Sequence, residues 1–233
     1  MLTQLRHDPP PLALLLLVPP GLLSLLKYAF EQDPASFQGV GGPLVGLFPF
    51  MTMFLITSIT MLRERTSGTL ERLMSMPPAK IDLLAGYGIA FALVGAVQAT
   101  VTSLVAFGLL DLHVAGSEVV VAVLAVGNAV LGMALGLFVS AFARTEFQAV
   151  QFLPAFVFPQ LLLCGLFVPR DQMAPLLEAV SYAMPLTYAF EALHRVTVDG
   201  SLGAAGWADV AVIVGATLAA LLLGSATLRR RTP

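Results

Sequence analysis

Six apolar stretches, each long enough to cross a bilayer, dominate this chain at residues 12–30, 43–62, 83–110, 118–142, 149–168 and 207–228. Inside lipid every backbone donor and acceptor must be satisfied within the protein, and a run of about 20 apolar residues does that as a helix. The pattern predicts an all-α integral membrane protein with six transmembrane helices. The chain is 58% hydrophobic and 11% charged, against roughly 25% charged in soluble domains. Its 233 residues then read as one transmembrane domain over 1–233, with little room for a soluble domain.

The interruptions refine this reading. Pro19–Pro20 predict a kink or an early end in the first span, because each proline removes a backbone donor. A cleaved leader fits less well, since the apolar run exceeds a signal core and no A-x-A site follows. Lys27 can extend its ammonium toward the interface, and residues 31–42 read as an acidic loop. Gln151, Gln160, Pro154 and Pro159 predict a bent fifth span. Between spans five and six, Met173–Met184 and Leu186–Val198 are too short to cross and are split by Pro185, so they read as re-entrant or surface helices.

Six spans put both termini on one side, and the basic residues choose that side. Arg6, Arg63, Arg65, Arg72, Lys80, Arg144 and Arg229–Arg231 fall on one face, whereas Arg170 and Arg195 fall on the other, with Lys27 at a span edge. A nine-to-two bias predicts cytoplasmic N and C termini.

The stretch Arg63–Pro78, RERTSGTLERLMSMPP, is the most charged long interruption and lies on that cytoplasmic side. Thr66 or Ser67 can cap a short helix in which Leu70, Leu73 and Met74 share a face, ended by Pro77–Pro78. A helix that short needs something to pack on. Its own helix ends or lipid headgroups would serve, and so would a groove on a soluble partner.

The residues Glu64, Arg65, Thr66, Ser67, Gly68, Thr69, Leu70, Glu71, Arg72 and Leu73, followed by Pro77, resemble the E-R-x-x-G-T-L-E-x-L…P pattern in the first cytoplasmic loop of type-2 ATP-binding-cassette exporter permeases. The branch that includes daunorubicin and multidrug-resistance exporters is the nearest. Span number, the turn at 143–148 and the long excursion before the last span agree with it over the whole chain. Family members begin with an amphipathic interfacial helix, and here only about ten residues precede the first span.

The resemblance implies that Glu64–Leu73 form a coupling helix docking on a separate ATPase subunit, with Gly68 allowing close approach and Glu71/Arg72 making polar contacts. It also implies a second permease subunit, identical or not, around a central path, and a plasma membrane location, the bacterial inner membrane. ATP and magnesium belong to the partner, and no cofactor is assigned to this chain. A phosphate-cradling G-x-x-x-x-G-K-[ST] loop is absent from the sequence, where Lys27 and Lys80 are the only lysines. Alternating access driven by that ATPase would export an amphiphilic or apolar cargo, a drug or a lipid.

Polar residues inside the spans are candidates for the path. Gln98, Asn128 and Gln160 can line it or bond a neighbouring helix. Gly132, Gly136 and Ser140, spaced by four, place a small-residue face against another helix, in the same subunit or in a second one. No acid or base lies mid-span, which argues against a proton-coupled carrier. Glu178, Tyr182, Tyr188, Glu191 and His194 are the polar content of the outer excursion and suit gate closure better than catalysis. Two alternatives stay open: a six-span scaffold whose basic loop binds anionic lipid, and a passive channel. Nothing in the charge balance points to nucleic acid, and lone Cys164 supports neither a disulfide nor a metal site.

Overall fold

In the computed structural model, which describes residues 9–67 and 80–226, every regular element is helical. Helix α1 is Pro9–Ala29, α2 Pro34–Thr66, α3 Lys80–Gly108 and α4 Glu118–Val139. Helices α5, Glu146–Phe152, and α6, Phe158–Leu163, are joined through a π-helical segment, Leu153–Val157. Two short helices follow, α7 at Pro175–Ser181 and α8 at Pro185–His194, and then the final helix α9 at Gly203–Ala226. Four helical stretches are long and apolar enough to cross a membrane: Pro34–Thr66, Gly86–Gly108, Glu118–Val139 and Gly203–Ala226. Helix α1 is also apolar over Leu15–Ala29.

Two expectations change. Residues 34–42, expected as a loop, form the first turns of α2. Asp33 accepts the Ser36 N–H at 3.4 Å and Pro34 occupies the first turn, where a missing donor costs nothing. The polar composition that suggested a loop is that of a capped helix start. Pro19–Pro20 do not end α1, which runs through them as one helix. Pro19 has no N–H for the Leu15 carbonyl, and Gln98 Nε2 of α3 donates to that oxygen instead, at 2.6 Å.

The bend of the fifth span takes the form of its π segment. Pro154 and Pro159 withdraw two donors from one short helix, and the Phe158 N–H reaches back five residues to Leu153.

Helix α2 is the hub. At 33 residues it measures about 50 Å, against a hydrocarbon core of about 30 Å. It packs against α1, α3, α4, α5 and α8. Along α4, Gly132 and Gly136 lie directly on the backbones of Phe50 and Phe54, where a β-carbon would collide with their carbonyl oxygens. Ser140 is buried beside them and bonds its hydroxyl to Leu137. The small-residue face therefore packs within one chain.

The other end of α2 receives the excursion. Gly42 and Gly46 leave room for Thr197 and Leu193. Helix α8 buries Leu186, Ala189, Phe190 and Leu193, while α7 leaves Leu176 and Leu177 exposed. The two pieces thus differ, with α8 entering the bundle and α7 covering its end. A π turn, Arg195–Asp199, closes α8, and its Val196 and Thr197 carbonyls accept the Gly116 and Ala115 N–H groups. Those carbonyls would otherwise be orphans of a helix end.

A Gly136→Leu substitution is expected to destabilise the protein by about 1–3 kcal/mol or more through overpacking against the α2 backbone. Gly127→Leu, on the same helix with open space around it, is the near-neutral control. Thermal melting of the detergent-solubilised protein distinguishes the two.

Candidate functional site

The expected coupling stretch begins inside α2. Glu64, Arg65 and Thr66 form its last turn and Ser67 is its C-cap, with the Ser67 N–H bonded to the Arg63 carbonyl at 2.9 Å. Thr66 and Ser67 were expected to cap the start of a separate helix. Here the Thr66 hydroxyl instead points back to the Leu62 carbonyl, at 3.1 Å, as a helix interior allows. Gly68, Thr69, Leu70, Glu71, Arg72 and Leu73 lie outside the described residues.

This end of α2 is fixed laterally. Arg63 forks onto Glu146, the first residue of α5, with both nitrogen–oxygen distances 2.8 Å. The pair is exposed, so water screens it, but its two-point geometry sets the relative rotation of α2 and α5. Behind it, Oε2 of Glu64 and Nε and Nη2 of Arg65 are buried without hydrogen-bond partners. Buried charged atoms left unpaired are costly.

The three intramembrane amides occupy different places. Gln98 is fully buried and bonds α1, as described, while its own carbonyl oxygen has no partner. Gln160 is buried between α6 and α8: it donates to the Phe156 carbonyl at 3.1 Å and accepts the Leu186 N–H at 3.4 Å. It thereby satisfies one free donor at the start of α8, beside Pro185, which has none. Asn128 is buried against α2 beside Gly46, and its Nδ2 has no partner. The three amides are therefore not gathered around one cavity; each sits at a different helix contact.

A charged cluster at the far end of the bundle escaped the sequence reading. Arg195 donates from Nε to Asp209 of α9 at 3.3 Å and approaches Glu191 at 3.9 Å. Glu191 also pairs with Arg170, whose guanidinium lies 4.7 Å above the centre of the Tyr182 ring. Asp209 is buried, Arg170 and Glu191 largely so. Four charges thus tie the segment before α7, helix α8 and helix α9 together. The i,i+4 spacing of Glu191 and Arg195 and an acid placed early in the last apolar run were the available signals. Neither identified the partner across the fold. His194 stacks on Phe190 with ring centres 5.4 Å apart. Among the described residues, no group of His, Cys, Asp and Glu is arranged to hold a metal ion.

The family model described as ABC-2 type transporter matches residues 11–197. The chain is 27% identical over 157 residues to "ABC transporter G family member 20" of Dictyostelium discoideum, covering 67% of this chain and 22% of the relative. It is 26% identical over 149 residues to "Probable multidrug ABC transporter permease YbhS" of Escherichia coli (strain K12), with 64% and 40% covered. To "Linearmycin resistance permease protein LnrN" of Bacillus subtilis (strain 168) it is 25% identical over 179 residues, with 77% and 46% covered. The matched regions span less than half the length of each of these relatives.

Two substitutions test the polar contacts. Gln98→Leu leaves the Leu15 carbonyl unpaired and is expected to cost about 1–3 kcal/mol. Adding Pro19→Ala, which restores the helical donor, should recover part of that loss in thermal melts. At the cluster, Arg195→Met removes the partner nitrogen of buried Asp209. It is expected to lower the melting temperature more than the double change Arg195→Met with Asp209→Leu, which leaves no acid behind.

Proposed function

The chain belongs to the ABC-2 type transporter family, and from that premise we propose that it is the transmembrane permease subunit of an exporter driven by a separate ATPase. Its domain would cover residues 1–233 with six crossings, both termini in the cytoplasm, in the plasma membrane of a bacterium. Cargo would be an amphiphilic or apolar drug or lipid, a class in keeping with the multidrug and linearmycin-resistance names of its relatives. As an ABC-2 membrane component it is not the ATPase; ATP and magnesium would act on the partner.

One observation carries the reading. The motif residues Glu64–Ser67 are the end of α2, and the same helix meets α8 some 20 residues away through Gly42 and Gly46. Moving as one unit, a continuous helix of that length would act as a lever. Force applied at Glu64–Leu73 by an ATPase closing on ATP would displace the far end against α8 and reopen the path outward. ATP must then favour one arrangement of the assembly through differential affinity, since a ligand shifts an equilibrium in no other way. Arg63 and Glu146 would couple the motion to α5. Two permease subunits, identical or not, would enclose the path, with Gln98, Asn128 and Gln160 in helix contacts that rearrange during the cycle.

Co-purification from native membranes tests this. The tagged wild-type chain is expected to bring down a separate ATPase, measured as ATP hydrolysis in the eluate. The Gly68→Trp variant should lose it. Eluates free of ATPase across several mild detergents would overturn the assignment of a coupling surface.

A further inference from the structure

A cavity of about 360 Å³ opens at the end of the bundle opposite Arg63, between the last turn of α1, the first turn of α2 and the loop that joins α3 to α4. Its lining is mostly apolar, with Phe30, Pro34, Phe37 and Leu110 among the residues that form it. Lys27, Glu31 and Asp111 also line it. These charges are not equivalent. Lys27 is engaged twice, donating to the Leu110 carbonyl at 2.7 Å and lying 3.7 Å from the Asp111 carboxylate. Glu31 has no side-chain hydrogen bond or ion pair among the described residues. The cavity therefore has one uncompensated carboxylate beside the rings of Tyr28, Phe30 and Phe37.

Its wall is also held in shape. Gln38 of α2 donates to the Asp111 carbonyl at 3.0 Å and accepts the His113 N–H at 2.7 Å. Asp111 adopts a left-handed backbone, φ +49°, between these anchors. Contacts within the chain thus fix that wall.

We propose that this cavity binds an ammonium-bearing amphiphile, its cation on the Glu31 carboxylate and its chain along the apolar lining. An anion finds no free cation here, because Lys27 is neutralised by Asp111. A neutral chain would leave Glu31 unpaired. Tyr28, Phe30 and Phe37 also line the cavity, and a ring face met by the ammonium would add cation–π attraction. The volume falls within the range of small-molecule sites. The ends of two apolar helices place the cavity where a lipid headgroup or an amphiphile's polar end would sit.

The test uses the full purified chain in neutral maltoside micelles with two fluorescent probes of equal chain length, an alkylammonium and an alkylsulfonate. The alkylammonium is expected to bind more tightly, and Glu31→Gln should weaken it by about tenfold, or about 1.4 kcal/mol. Glu31 is exposed, so the variant is expected to keep its fold. Glu31→Lys should reverse the preference in favour of the sulfonate. Competition by phosphatidylethanolamine would assign the site to a lipid headgroup, and absence of competition to a soluble amphiphile. Equal affinity for the two probes, or an unchanged alkylammonium affinity in Glu31→Gln, would overturn the proposal.

Discussion

The contact between α2 and α4 is the one on which the rest of the structure depends. Gly132 and Gly136 bring the α4 surface onto the Phe50 and Phe54 carbonyls of α2, and only residues without a β-carbon permit that distance. In lipid there is little hydrophobic gain in joining two apolar helices, so close van der Waals contact supplies much of the attraction. With α4 seated, the remaining faces of α2 are left for α1, α3, α5 and α8. The hub position of α2 follows from its being the helix that others can approach.

A second constraint is that no backbone group can turn to water inside the bundle. Several departures from regular helix are met by a specific donor or acceptor. The carbonyl freed by Pro19 finds Gln98, and the start of α8 finds Gln160. The π turn after α8 finds the amides of Ala115 and Gly116. These are contacts between elements far apart in sequence, so they join the bundle while satisfying it. Gln98 and Gln160 act here as backbone partners.

Charge is concentrated at the two ends. Arg63 and Glu146 rotate α2 against α5 at one end, and Arg170, Glu191, Arg195 and Asp209 hold the excursion to α9 at the other. Helix α2 connects both. At 33 residues it is longer than the hydrocarbon core is thick, so one helix reaches from the Arg63 pair to the contacts at Gly42 and Gly46.

What the sequence alone determined is what depends on composition and local order: a helical membrane protein, the approximate positions of the apolar helices, the bend near Pro154 and Pro159, and the small-residue face of α4. The string Glu64–Leu73 stands contiguously in the sequence, and of it the structure describes Glu64–Ser67, the end of α2. Residues 34–42 were misread as a loop, since a polar capped helix start and a polar loop have the same composition until Asp33 is seen to accept the Ser36 amide. Only the tertiary structure decided that Pro19 leaves α1 continuous, that Gln98 and Gln160 serve backbone groups, and that Arg195 meets Asp209. The physical reason is the same in each case. A hydrogen bond or ion pair between elements dozens of residues apart depends on how helices are rotated and packed, and a single chain's local pattern carries helix propensity without that relative rotation.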